Sequence, residues 1–308
     1  MLATCPCHDC GVSSTQIAPK IEDPVEYSLL ALLSGGLLGA WQFGIGLYRG
    51  TMTRNMVLLI SATAAGVGYF LLAALSQSLS FDIDDVPEGL IGGVLNVSGT
   101  LCLLKAFECG KIGVASGVAA TSTLVPVAYS LYLGEPLTFM TSAGLFCILI
   151  GLALFYGAHL RDGGGDTEGS SSGKAIWFAL GTALFWGTAI IVLDVGTLES
   201  VTSTMAVSQI PQVILAAILV LIGGVGSRVG ISRASTTVLI ASGFALALSN
   251  TLFYFAANMS DIGVVSVLAS LSPIVTALLA LAVFKEKLVR LEWAALVVVI
   301  IGTGLVLY

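Results

Sequence analysis

From Tyr27 onward the chain is a series of apolar windows, each about 20 residues long, the length an α-helix needs to cross a bilayer. They fall at 27–48, 56–76, 87–106, 113–133 and 138–157, and again at 175–195, 201–223, 236–258, 262–284 and 291–308. Between them stand short clusters of Gly, Pro, Asp, Lys and Arg. The windows are too long for strands and do not alternate between apolar and polar positions as a membrane barrel requires. Helices satisfy every backbone hydrogen bond internally, so they are the form in which such windows can sit in lipid. The pattern therefore predicts an all-α integral membrane protein with ten transmembrane helices.

Two stretches break the pattern. Residues 1–26 hold Lys20 against Asp9, Glu22, Asp23 and Glu26 and have no apolar run of signal-peptide length, so an exposed tail is expected there. Residues 158–174 contain Gly163-Gly164-Gly165 and Ser170-Ser171-Ser172-Gly173, the composition of a flexible linker. This divides the chain into a tail (1–26), a first unit (27–157), a linker (158–174) and a second unit (175–308).

The two units repeat each other. Ile112-Gly113-Val114 and Ser116 recur as Ile262-Gly263-Val264 and Ser266, and Ala119, Ser122 and Val125 recur at the same offset as Ala269, Ser272 and Val275. Glu135 and Gly151 pair with Glu286 and Gly302 after a shift of one residue, and Trp41 in the first window corresponds to Trp186 in the sixth. A duplicated unit with five spans must re-enter the membrane in the opposite sense. Two inverted five-helix repeats are thus expected, an architecture typical of secondary transporters.

Composition agrees. The chain is 56% hydrophobic and only 10% charged, with mean hydropathy +1.00, whereas soluble domains carry roughly 25% charged residues. The formal net charge is −6, which offers no basic surface for nucleic acid. Eleven of the twelve Lys and Arg residues, among them Arg49, Lys105 and Arg233, fall in odd-numbered loops. By the positive-inside rule those loops are cytoplasmic and both termini lie outside.

The paired tryptophans, the stretch from Gly263 through Ser272-Pro273 followed by Phe284-Lys285-Glu286-Lys287-Leu288, and Leu133-Gly134-Glu135 resemble the EamA-like family of the drug/metabolite transporter superfamily. The resemblance spans nearly all of 27–308. It implies ten helices, solute transport, often as export, and termini on the cytoplasmic side, against the charge pattern. Pro273 matches the family's helix-breaking proline, whereas in the first half Pro126 lies three residues beyond the equivalent Thr123.

No charged side chain lies near the centre of a window, but neutral polar ones do. Trp41, Gln42, Asn96, Trp186, Asn250, Tyr254, Ser270 and Pro273 are expected to surround a central cavity formed by the first, third, sixth, eighth and ninth helices. Asn250 and Tyr254, four apart, share a helix face. Pro273 should free a backbone carbonyl near Ala269 for a solute. Arg49 and Asp194, each eight residues past a paired tryptophan, are candidates for gating. Cys5, Cys7, His8 and Cys10 form the one ligand-like cluster, weak as a metal site because its spacing is tighter than that of zinc motifs. No cofactor, metal or catalytic group is expected.

The partners are then a small-molecule solute and the lipid bilayer, in all expectation that of the cell membrane. The sequence reads best as an alternating-access transporter of a small polar or amphipathic metabolite, an exporter of amino acids or drug-like compounds. A sugar or nucleotide-sugar exchanger would require Arg49 or Lys105 to turn inward. A channel or a membrane-embedded enzyme is the reading from a different class, and no acid pair or nucleophile with a base supports the enzyme.

Overall fold

The computed structural model describes residues 24–48, 52–76, 86–109, 112–134, 138–162, 169–198, 200–223, 233–284 and scattered positions between 291 and 305. The Cys5–Cys10 cluster and Arg49 lie outside the described residues.

The described chain is helical. In order it forms α1 (Pro24–Gly46), α2 (Arg54–Leu75), α3 (Val86–Cys109), α4 (Ile112–Ala120), a 3-10 turn (Thr121–Thr123), α5 (Leu124–Tyr132), α6 (Phe139–Asp162), α7 (Gly169–Thr197), α8 (Val201–Gly223), α9 (Arg233–Met259), α10 (Ile262–Ala269) and α11 (Ser272–Phe284). Among the described residues, seven stretches are long and apolar enough to cross a membrane, the last being α10 and α11 together. The protein is an integral, multi-pass membrane protein. Around the stretch expected as a linker, 158–174, α6 runs to Asp162 and α7 begins at Gly169.

Packing is of the membrane type, with small residues inside and large ones outside. Ala31, Ala65, Ala206 and Ala256 are fully buried, while Trp177, Leu184, Ile214 and Leu221 stand on the outer surface. Without a hydrophobic force between helices in lipid, close backbone approach supplies the contact energy, and small residues permit it. Gly134, at φ +78°, closes α5: its N–H reaches the Leu131 carbonyl at 3.1 Å, a turn that L side chains adopt at a cost.

The helix contacts map onto themselves when the halves are exchanged. α1 packs along α9 and α3 along α7; α2 packs on α9 and α3 on α8; α2 meets α8. Individual residues follow the same rule. A Cβ at Gly93 on α3 would collide with the Ser208 carbonyl on α8, and one at Gly243 on α9 would collide with the Ser61 carbonyl on α2. Gly39 on α1 likewise sits on the Ser272 carbonyl and Val275, and Gly187 on α7 on the Ser122 carbonyl and Val125. Of these residues, Ser122 with Ser272 and Val125 with Val275 are pairs matched in the sequence repeat.

The fourth and ninth spans are interrupted at equivalent places, by the 3-10 turn 121–123 and by the break at Ser270 and Leu271. Hydroxyls one turn on take up carbonyls around each break: Thr121 and Thr123 donate to Val118 and Ala120 at 2.7 and 3.0 Å, and Ser270 donates to Val267 at 2.6 Å. Such back-bonding lets a helix break in lipid without orphaned carbonyls.

Candidate functional site

Close contact of α1 with α9 to α11, and of α3 with α7, leaves a cavity of about 100 Å³ midway along the helices. A single water needs roughly 10–15 Å³ by this measure, so the cavity has room for several waters or for part of a small solute.

Seven of the eight residues expected at the site line it: Trp41, Gln42, Asn96, Trp186, Asn250, Tyr254 and Ser270. Pro273 is not among the lining residues. It occupies the first turn of α11, where its missing N–H costs nothing, and Ser272 takes the place on the wall. The Ala269 carbonyl abuts α1, 2.7 Å from where a Gly35 Cβ would lie. Ala269 itself is among the residues that line the cavity.

Trp41 is only 2% exposed and donates its indole N–H to the Ser61 hydroxyl at 2.9 Å. Trp186 donates to the backbone carbonyl of Asn96 at 3.3 Å. The two rings meet at a centroid distance of 5.9 Å, tilted by 41°, an offset arrangement favoured by their quadrupoles. Phe253 and Tyr254 pack edge to face at 5.0 Å on the opposite wall.

The carboxamides divide into held and open groups. Asn250 Nδ2 donates to the buried Tyr69 hydroxyl at 2.8 Å, so Asn250 is partly structural. Gln42 Oε1 lies 3.3 Å from the Thr276 hydroxyl, whose one proton is also within 3.0 Å of the Gly39 and Ser272 carbonyls. Gln212 donates to the Ser208 carbonyl at 3.3 Å. The Asn96 side chain makes no hydrogen bond among the described residues, and its amide lines the cavity. The Ser266 hydroxyl, also on the wall, is buried without a partner among the described residues. Buried polar atoms of this kind are normally met by water or ligand.

Asp194, a gating candidate, sits in the last turns of α7 and does not line the cavity; it lies within electrostatic reach of Tyr254, which does. Lys105 is turned away and pairs with Glu108 at 2.8 Å, beside Arg54 at 3.7 Å.

The helices foreseen around the cavity all contribute, and two more join them: the fourth span through Ala119 to Thr123 and the seventh through Gln212. Ser34, Thr100, Phe253 and Ser266 were not among the expected lining residues. The signal was available: Ser34, Leu38 and Trp41 follow one helix face, Thr100 lies one turn from Asn96, and Ser266 belongs to the sequence repeat.

The cavity thus combines apolar side chains with neutral polar ones, among helices long and apolar enough to cross a membrane. Residues 173–308 match the model of the EamA-like transporter family. A crystal structure of another protein superposes with a TM-score of 0.72 at 17% identity, covering 90% of this chain and 97% of that one; at that identity it shows the shared fold alone. No curated protein sequence matches the chain.

Proposed function

We propose that the protein is a secondary, alternating-access carrier that exports a small polar or amphipathic metabolite, of amino-acid or drug-like kind, across the cell membrane. Its working unit is ten transmembrane helices in two inverted five-helix repeats, 27–157 and 175–308. The observation that carries this reading is the central cavity flanked by reciprocal packing: Gly93 on Ser208 and Gly243 on Ser61, with equivalent breaks in the fourth and ninth spans. Two such halves have two related packings, and exchanging them moves the opening of a central site from one side to the other. The seven expected residues that line the cavity support it as the solute site, and the family match over 173–308 supports transport.

The nucleotide-sugar alternative loses its footing at Lys105, which is paired outside the cavity. Purified protein in liposomes loaded with a candidate solute tests the carrier reading: saturable counterflow is expected. Flux that rises linearly with concentration, without counterflow, would identify a channel instead.

A further inference from the structure

We infer that the solute crosses this protein without a full charge: the cavity selects uncharged, hydrogen-bonding molecules with an apolar face over anions, cations and zwitterions. The inference rests on the carrier reading of the same cavity and narrows its substrate to the drug-like kind, setting zwitterionic amino acids aside.

The wall is mostly apolar, and the polar groups it carries are neutral. They belong to the carboxamide residues Gln42, Asn96, Gln212 and Asn250 and to serines and threonines such as Ser122. No Asp, Glu, Lys, Arg or His stands on the described lining, and the sequence puts none near the middle of any apolar window. Lys105 is held by Glu108 at 2.8 Å.

A charged solute leaving water for such a chamber forfeits its hydration with no counter-charge to replace it, which amides alone do not offset. A zwitterion forfeits it twice. An amide or alcohol loses only neutral hydrogen bonds, and the Asn96 carboxamide, without a hydrogen bond among the described residues, can return one in kind. The two indoles, 5.9 Å apart, are too close to admit a ring between them, and the half-buried Trp186 leaves apolar surface against which one can lie.

Binding of a matched series to the full-length purified protein tests this, with indole-3-acetamide as the uncharged member and indole-3-acetate, tryptamine and tryptophan as anion, cation and zwitterion. A phenyl series of the same four types runs in parallel. In any scaffold that binds, the uncharged member should bind at least tenfold more tightly than each charged relative. A charged or zwitterionic member binding as tightly overturns the inference while leaving the carrier reading standing. Absence of saturable binding by every member of both series overturns the two together.

Asn96→Asp, which adds one carboxylate with almost no change of shape, should raise tryptamine affinity at least tenfold. Gln212→Glu is the second variant should the first not fold. Failure of both folded variants to favour the cation overturns the assignment of selectivity to this wall.

Discussion

Trp41 and Trp186 occupy equivalent places in the two halves and touch, with ring centroids 5.9 Å apart, yet their indole nitrogens are held differently. Trp41 donates to a hydroxyl on α2, Ser61, at 2.9 Å, and Trp186 to a backbone carbonyl on α3, that of Asn96, at 3.3 Å. On the carrier reading proposed above, residues equivalent in the sequence repeat but unequal in their bonds mark which of two packings the protein occupies.

The packing of Gly93 and Gly243 makes Ser208 the counterpart of Ser61. Its hydroxyl now donates to its own helix, to the Met205 carbonyl at 2.8 Å. In the exchanged packing Trp186 should bond Ser208 and Trp41 the Leu246 carbonyl. Ser61→Ala should then disfavour the present state and Ser208→Ala the opposite one, each by up to about tenfold, the worth of one hydrogen bond of about 1 kcal/mol. Distances between spin labels at the ends of α7 and α9 report the shift; movement of both variants in the same direction would refute the exchange.

The two asparagines of the cavity should behave differently. Asn96→Ala removes a side chain with no hydrogen bond among the described residues, so affinity should fall by about 1–3 kcal/mol with little change in melting temperature. Asn250→Leu strips the buried Tyr69 hydroxyl of its 2.8 Å partner, so stability should fall along with affinity. Melting and binding measured on each purified variant check the pair; equal loss of stability in both would remove the distinction.

Much of the cavity is legible in the sequence because neutral amides and tryptophans deep in apolar windows are costly in lipid unless they pair with one another or face a chamber. Trp41, Gln42, Asn96 and Asn250 stand out by type alone. Pro273 misleads because a proline signals a break without telling on which side of it the open groups fall: here it starts α11, and Ser270, before the break, reaches the wall. Ser34, Thr100 and Ser266 escape because serine and threonine also occur throughout membrane helices bonded to their own backbone, as Thr251 and Ser242 do here. Reciprocal contacts such as Gly93 with Ser208 are beyond reach of the sequence, since the repeat shows which positions correspond but not which of them touch.

Those contacts should set stability. At Gly93 and Gly243 an added methyl would meet backbone carbonyls of α8 and α2, which cannot swing aside, whereas at Gly36 it would meet nothing within 4 Å. Gly93→Ala and Gly243→Ala should each cost about 1–3 kcal/mol by overpacking, and Gly36→Ala should be neutral or slightly stabilising, since it replaces glycine within a helix. Thermal melts of the three variants in one detergent are the measurement, and equal melting points would show that the helices do not approach as described.

The break in the ninth span should survive loss of its proline. Thr123 stands where Pro273 stands in the other half, and the proline of the fourth span, Pro126, lies three residues further on, in the first turn of α5. At both breaks the carbonyls are taken by hydroxyls one turn on, Ser270 to Val267 at 2.6 Å and Thr123 to Ala120 at 3.0 Å. Pro273 lies in the first turn of α11, where the ring is compatible with helix geometry and no N–H is required. Pro273→Ala should therefore change stability by less than about 1 kcal/mol and leave solute affinity unaltered. Ser270→Ala removes the short hydroxyl bond to the Val267 carbonyl, which keeps the backbone N–H of residue 270 at 3.1 Å, and should cost about 0.5–1.5 kcal/mol, the net worth of one hydrogen bond. Melting temperature and affinity of the two variants, compared side by side, decide between hydroxyl and proline as the keeper of the break; a large loss in Pro273→Ala with none in Ser270→Ala would give that role to the proline.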